Sequence, residues 1–366
     1  MNIHCLRLYD FRNFSEMEVE FSPGINILYG ENAQGKSNIL EAVFFLTALK
    51  PTRAVREVEL IKHDKSMAFV KGSFDTLRGM VDRQATLHRY KKKEVKEGET
   101  IKTRWSELSH YVAAVYFSPE DLSLVKGEPA LRRRFLDQII SQVRPAHYKY
   151  TYGYYRVLSQ RNALLKEIRK NSKLALSLDP WDEQLAQLGS LLILSRRELL
   201  DKISLISQNY YNSITQAQNH LDLSYISTVK ETGSEPLRES FIQVLRSQRG
   251  VDISRSYTTI GPHRDDVEFL IDGKDAKIFA SQGQQRLLSL CLKFAHRRIL
   301  YLENSDEPIL LLDDVMSELD LSKRRLILEG QDQQVFITTT DLNHIPEEIL
   351  KKSRCFLVRD GTMMMT

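Results

Sequence analysis

Eight residues near the start of the chain, GENAQGKS from Gly30 to Ser37, have the types and spacing of a phosphate-binding loop. Its glycines let the backbone turn tightly, so that N–H groups can surround phosphate oxygens. Lys36 would reach the β- and γ-phosphates, and Ser37 would offer a hydroxyl to Mg²⁺. A helix starting there aims its positive end at the same charge. The plainer reading is a glycine turn capping a helix. Against it, an apolar strand pattern ends at Gly30 and a helical pattern runs from Ser37 to Leu49, giving strand, loop and helix in the order a triphosphate site needs.

A second chemical feature is ILLLDD, Ile309 to Asp314, four apolar residues ending in two acids. A central strand can deliver such an acid to its C-terminal edge beside a phosphate loop. Asp313 would hold Mg²⁺, directly or through water, and Asp314 would orient the attacking water as general base. Alone, the same residues read as an acidic loop after a core strand. A third feature, SQGQQR from Ser281 to Arg286, opens a helix with Ser281, Gly283, Gln284 and Gln285. A Ser hydroxyl and a Gly N–H at a helix start form a second γ-phosphate site, although in isolation the hexamer reads more readily as a Ser N-cap. The chain already carries one phosphate loop, so this site best serves a nucleotide held by another copy. SELD, Ser317 to Asp320, follows the acidic pair where a loop would sense that neighbour.

Composition bounds the rest. The chain has 366 residues, 42% hydrophobic and 27% charged, with a net charge of +4, so nucleic-acid affinity must come from local patches. Two basic clusters stand out, RYKKKEVK around Lys91–Lys93 and LRRR at Arg132–Arg134. Either would neutralise phosphates without reading bases; the blander reading for Lys91–Lys93 is a solvated face. GPHRDD brings together His263, Asp265 and Asp266, but acids after a Gly-Pro turn more often close a loop than hold a metal. Cys5, Cys291 and Cys355 are scattered and fit core-filling thiols in a reducing compartment. No run of about 18 apolar residues occurs, so no membrane contact and a cytoplasmic location are expected.

Strand-like alternation covers the N-terminal segment and Ala68–Trp105, where the lysine-rich stretch reads as a hairpin tip. From Pro119 the texture becomes helical. A long helix from Trp181 to about Gln218 carries Leu185, Leu188, Leu192, Leu199, Ile203, Ile206 and Tyr210 at three- and four-residue spacing, with Ser195 as a gap. It would form an antiparallel, coiled-coil-like hairpin with the helix before it. A further helix is expected from about Gln284 to Tyr301. The fold class is α/β: a P-loop head built from both chain ends (residues 1–118 and 255–366) with a mainly helical arm, 119–254, inserted between them.

GENAQGKS, SQGQQR, ILLLDD and SELD, in that order, match the Walker A, signature, Walker B and D-loop series of ABC-type ATPases. With LRLYDFRNF, FSPEDLSLVKGEPALRRRFLD and GPHRDD, the chain resembles the RecF family, bacterial repair ATPases related to SMC and Rad50 heads. The resemblance implies slow, DNA-stimulated ATP hydrolysis by a homodimer that sandwiches two nucleotides. Gly30, Glu31, Asn32, Ala33, Gln34, Gly35, Lys36, Ser37 and Asn38, with Arg12 and Asn13 of the first hairpin, would hold one ATP. Ser281, Gly283 and Gln284 of the second copy would close on it. It also implies action on duplex and gapped DNA with RecR and RecO, and assistance to RecA. For Arg132–Arg134 the resemblance implies a structural or interface role. Two departures are visible. Thr338–Thr340 and Asp341 stand where many ABC ATPases place a His, and no Gln lies around Ser118–Glu120, where the head meets the arm.

Overall fold

Ile3, Leu6, Leu8 and Phe11 line one buried face of the first strand, and a register shift between Ile3 and Cys5 keeps the three-residue step from Ile3 to Leu6 on that face. The computed structural model describes residues 1–52, 56–102, 107–215, 219–230, 236–316, 324 and 333–366; SELD therefore lies outside the described residues. Along the chain come β1 (Asn2–Phe11), β2 (Phe14–Glu20), β3 (Ile25–Tyr29), α1 (Lys36–Ala48), β4 (Met67–Thr76), β5 (Gly79–His88), β6 (Glu94–Glu97), β7 (Thr100–Lys102) and β8 (Ala114–Phe117). Then follow α2 (Ser123–Lys126), α3 (Pro129–Val143), α4 (Pro145–Ile168), α5 (Asp179–Thr215), β9 (Leu221–Ile226), α6 (Leu237–Arg255), β10 (Asp266–Ile271), β11 (Lys274–Asp275), α7 (Ala276–Phe279) and α8 (Gln282–Asn304). The chain closes with β12 (Ile309–Asp313), β13 (Val335–Thr339), β14 (Ser353–Arg359) and β15 (Thr362–Met365).

Two compact units result: Met1–Asp121 with His296–Thr366, and Leu122–Ala295. The first contains two six-stranded sheets. One is antiparallel, in the order β2-β1-β4-β5-β6-β7; the expected lysine-rich hairpin is β6–β7, turning at Gly98. The other runs β15-β14-β3-β13-β12-β8 and is parallel except for β15. Helix α1 is packed against strands of both sheets, with eleven of its thirteen residues buried. That placement explains why Ile39 to Ala48 is apolar on nearly every side. Each large side chain buried there contributes about 1.5–3 kcal/mol. The core thereby fixes the axis of the helix that begins at Lys36.

The second unit packs α4, α5 and α6 around Tyr154, Leu185, Leu192, Ile193, Phe241 and Leu245. It also holds a three-stranded sheet, β11-β10-β9. The second unit extends past the expected boundary at residue 254, because β10 pairs with β9 from Asp266↔Ile226 to Ile271↔Leu221. The buried seam of α5 differs in detail from the expected leucine series. Gly189, Arg196, Ser207 and Tyr211 occupy it, while Leu188, Ile206 and Tyr210 are half-buried. Arg196 sits beside the gap at Ser195, is fully buried, and forms paired bonds of 2.8 Å to Asp137.

Candidate phosphate-loop site and helix-start motif

Strand β3 lies between β14 and β13, and its C-terminal end opens into the glycine loop. Gly30 has φ +143°, and a Cβ there would lie 2.4 Å from the Val358 carbonyl oxygen, so no other residue fits. Gly35, at φ +112°, leads into α1 beside the Asn13 side chain. Glu31, Asn32 and Ala33 form the exposed crest, with Ala33 also left-handed at φ 65°. Lys36 is buried, and its ammonium donates to the carbonyls of Gly30 and Glu31, each at 2.6 Å. An ammonium has three donors, which leaves one for an incoming oxygen anion. Burial pulls the Lys36 pKa down, while the carboxylates of Asp314 and Asp313 push it back up.

The first hairpin braces this loop. Asn13 Nδ2 donates to Gln34 O at 2.9 Å, and Asn38 Nδ2 donates to Asn13 Oδ1 at 2.8 Å. Gln34 Oε1 accepts the Asp360 N–H at 2.7 Å, tying the loop to the turn before β15. Arg12 stands at φ 52°, a costly conformation for a non-glycine residue. Its guanidinium holds it there with two bonds to Glu41 Oε2, 2.9 and 2.8 Å, and one to Glu59 O at 3.0 Å. Arg12 is therefore a clamp on the first turns of α1, acting through Glu41, a buried acid that no sequence motif singled out.

Parallel pairing sets Asp313 of β12 level with Thr338 of β13. Asp313 is fully buried, and its Oδ1 accepts from Ser37 Oγ at 2.7 Å and from Thr338 Oγ1 at 2.8 Å. Asp314 follows at φ 53°, exposed, with its N–H donating to Thr338 Oγ1 at 2.9 Å. Thr338 thus links both acids. Thr339 is bonded to Asp341, and Thr340 is exposed beyond the strand end. The Ser118 N–H donates to Asp121 Oδ2 at 2.8 Å, and Glu120 is exposed. The structure therefore gathers Lys36, Ser37, Asp313 and Asp314 at one sheet edge, within the first unit.

Ser281, Gly283 and Gln284 lie in the second unit. There the Ser281 N–H donates to Gln284 Oε1 at 2.9 Å, and the Gln284 N–H donates to Ser281 Oγ at 3.3 Å. This reciprocal pair is a capping box for α8. All three residues are exposed, and a Cβ at Gly283 would meet only Ser281 Oγ, at 3.9 Å. Local packing gives no reason for a glycine there. Buried Gln285 anchors the turn through a 2.9 Å bond to Ala276 O.

The two basic clusters divide. Arg132 is buried and binds both oxygens of Asp266, at 2.7 and 3.0 Å, while Arg133 donates to Asp265 O at 2.7 Å. Asp265 accepts from Tyr225, Ser227 and Thr228. LRRR and GPHRDD are thus two halves of one internal lock, and Arg134 alone of the three arginines is exposed. In the other cluster Lys93 is bonded to Glu57 and to Leu49 O, leaving Lys91 and Lys92 exposed. Among the described residues no group of three or more His, Cys, Asp or Glu side chains is placed to hold a metal, and no helix is long and apolar enough to cross a membrane.

A parallel sheet that delivers a glycine loop with Lys-Ser at one strand end and a paired acid at another defines an ABC-type P-loop ATPase head, here with a mainly helical unit inserted. Residues 2–363 match the RecF/RecN/SMC N-terminal domain. The chain belongs to the RecF family. It is 38% identical to the DNA replication and repair protein RecF of Natranaerobius thermophilus, over 99% of this chain and 97% of that one. Against RecF of Lactobacillus acidophilus it is 36% identical, over 100% and 99%. A structure of the recombination mediator RecF with ATPrS, in the RecFOR pathway, superposes with a TM-score of 0.92 at 32% identity, covering 100% of this chain and 98% of the other. The Smc head of Pyrococcus furiosus shares the fold, with a TM-score of 0.54 at 16% identity.

Proposed function

We propose that this chain is an ATP-switched DNA-binding protein of replication and recombinational repair, in which ATP joins two copies. One observation carries the reading: Ser37 Oγ and Asp313 Oδ1 meet at 2.7 Å beside Lys36, at the edge of a glycine loop. Gly30 to Asn38 would cradle the triphosphate, with Asn13 bracing the loop and Arg12 fixing the helix behind it. Ser281, Gly283 and Gln284 of the second copy would close on the γ-phosphate, a role supported by their exposure on a capped helix start.

The residues present fit Mg²⁺. A hydroxyl and a carboxylate within hydrogen-bond distance supply the one or two hard oxygen ligands that this ion takes from protein, beside phosphate and water. When bound, it neutralises phosphate charge. Asp314 would accept the proton of the attacking water, with its backbone held by Thr338. The departures at Thr338–Asp341 and Ser118–Glu120 suit slow turnover, in which hydrolysis times release.

DNA, duplex or gapped and without base preference, is the expected ligand; Lys91 and Lys92 are candidates for phosphate contacts. RecR and RecO as partners, assistance to RecA loading and a cytoplasmic site of action accord with relatives described as recombination mediators in the RecFOR pathway. The test is binding to duplex, single-stranded and gapped DNA over a range of salt, with and without ATP, for wild type and Lys36→Met. Wild type should bind with ATP and with a steep salt slope, and Lys36→Met should not respond to ATP. Equal binding by wild type with and without ATP would remove the switch.

A further inference from the structure

Strand β8 sends a side chain to the acid at the end of β12 that none of the motifs contains. Tyr116 is buried, and its phenol donates to Asp313 Oδ2 at 2.6 Å. Parallel pairing sets Tyr116 level with Leu311. Asp313 lies two residues further along the neighbouring strand, about 6.6 Å, which is the reach of a tyrosine side chain. The ring packs edge-on against Phe44 of α1, with centroids 5.8 Å apart and planes at 72°. Its direction is therefore set by the core as well as by the acid.

Three hydroxyl groups thus converge on one carboxylate, from β8, from β13 and from the start of α1. Asp313 cannot rotate its carboxylate without losing at least one of these bonds. Because it is fully buried, water would not replace what is lost. Ser37, donating its proton to Oδ1, keeps its oxygen lone pairs for a cation.

The geometry points to Tyr116 as a positioning residue for the nucleotide-bound cation: by fixing Asp313 Oδ2 it holds Oδ1, and through Oδ1 the Ser37 hydroxyl, in the orientation that receives Mg²⁺ with the triphosphate. The inference rests on the ATP-binding reading above. Tyr116 does this from within the strand that is followed by Ser118–Glu120, where the glutamine of many related ATPases is missing.

Tyr116→Phe removes only the hydroxyl, and Phe44 still supports the ring. Binding of a fluorescent ATP analogue, measured in EDTA and across an Mg²⁺ titration, separates the cation from the nucleotide; a melting curve without nucleotide reports folding. The Mg²⁺ concentration at half-saturation should rise about tenfold or more, the usual effect of removing a partner of a metal-orienting side chain. Affinity in EDTA should stay at the wild-type value, while the melting midpoint should fall by a few degrees, because the buried Asp313 carboxylate loses one of its three hydroxyl partners. An unchanged Mg²⁺ midpoint would overturn the role of Tyr116, as would equal losses of affinity with and without Mg²⁺. A wild type that binds no analogue at all would instead overturn the ATP reading on which this rests.

Discussion

Lys36 is held over its own loop by two carbonyls at 2.6 Å, so its charge is fixed before any phosphate arrives. Lys36→Met should weaken nucleotide binding by about 2 kcal/mol or more, roughly thirtyfold, as measured by calorimetric titration; unaltered affinity would separate Lys36 from the phosphates. Asp314→Asn should slow phosphate release by about 10²–10⁴ while ATP still binds. Wild-type turnover in that variant would move the base elsewhere. His263 offers a different check. Its Nε2 donates to Thr258 O at 3.1 Å and its Nδ1 accepts from Tyr154 at 2.7 Å, which fixes the neutral ring. Burial chiefly lowers its pKa, to about 4. The unfolded chain thus binds a proton more readily, so this contribution is complete above about pH 6.5 and is lost as pH falls toward 4. A chemical-shift titration of His263 with a midpoint near 6.5 would contradict it. At this scale the sequence disclosed the loop and the paired acids, because their chemistry is local. It did not disclose Glu41, Tyr116 or Arg196, whose partners lie 29, 197 and 59 residues away.

Helices α4, α5 and α6 are joined by a buried ion pair network that no helical pattern predicts. Arg161 of α4 is fully buried, bonding Asp182 of α5 at 2.7 Å and Asp252 of α6 at 2.7 Å. Arg249 adds bonds of 2.8 and 2.6 Å to Asp182. Arg161→Met would remove the buried cation from Asp252 and leave Asp182 with Arg249 alone, and should cost about 3–5 kcal/mol. Denaturant unfolding measures that loss, and a change under about 1 kcal/mol would show the carboxylates to be otherwise satisfied. The helices themselves were legible, since α1 and α8 begin and end within a few residues of their expected bounds and α5 begins close to its expected start, its expected end at Gln218 lying outside the described residues. Their polar seams were not, because a buried Arg and a surface Arg look alike until the partner helix is placed.

Across the whole chain, residues 1–121 and 296–366 form one unit, with 122–295 inserted between them. Helical texture disclosed that insertion. The pairing of β10 with β9, between segments 40 residues apart, was invisible and carries the second unit past residue 254. The loop with Lys36 and the capped start at Ser281 belong to different units. In the proposed assembly each nucleotide needs both, one from each copy. The most direct test is molecular mass in solution, measured by light scattering with and without ATP, for wild type and Ser281→Arg. Wild type should become a dimer only with ATP. Ser281→Arg should bind ATP with unchanged affinity and remain a monomer. Dimerisation of Ser281→Arg to the wild-type extent, or no ATP-dependent dimer of the wild type, would contradict the shared site.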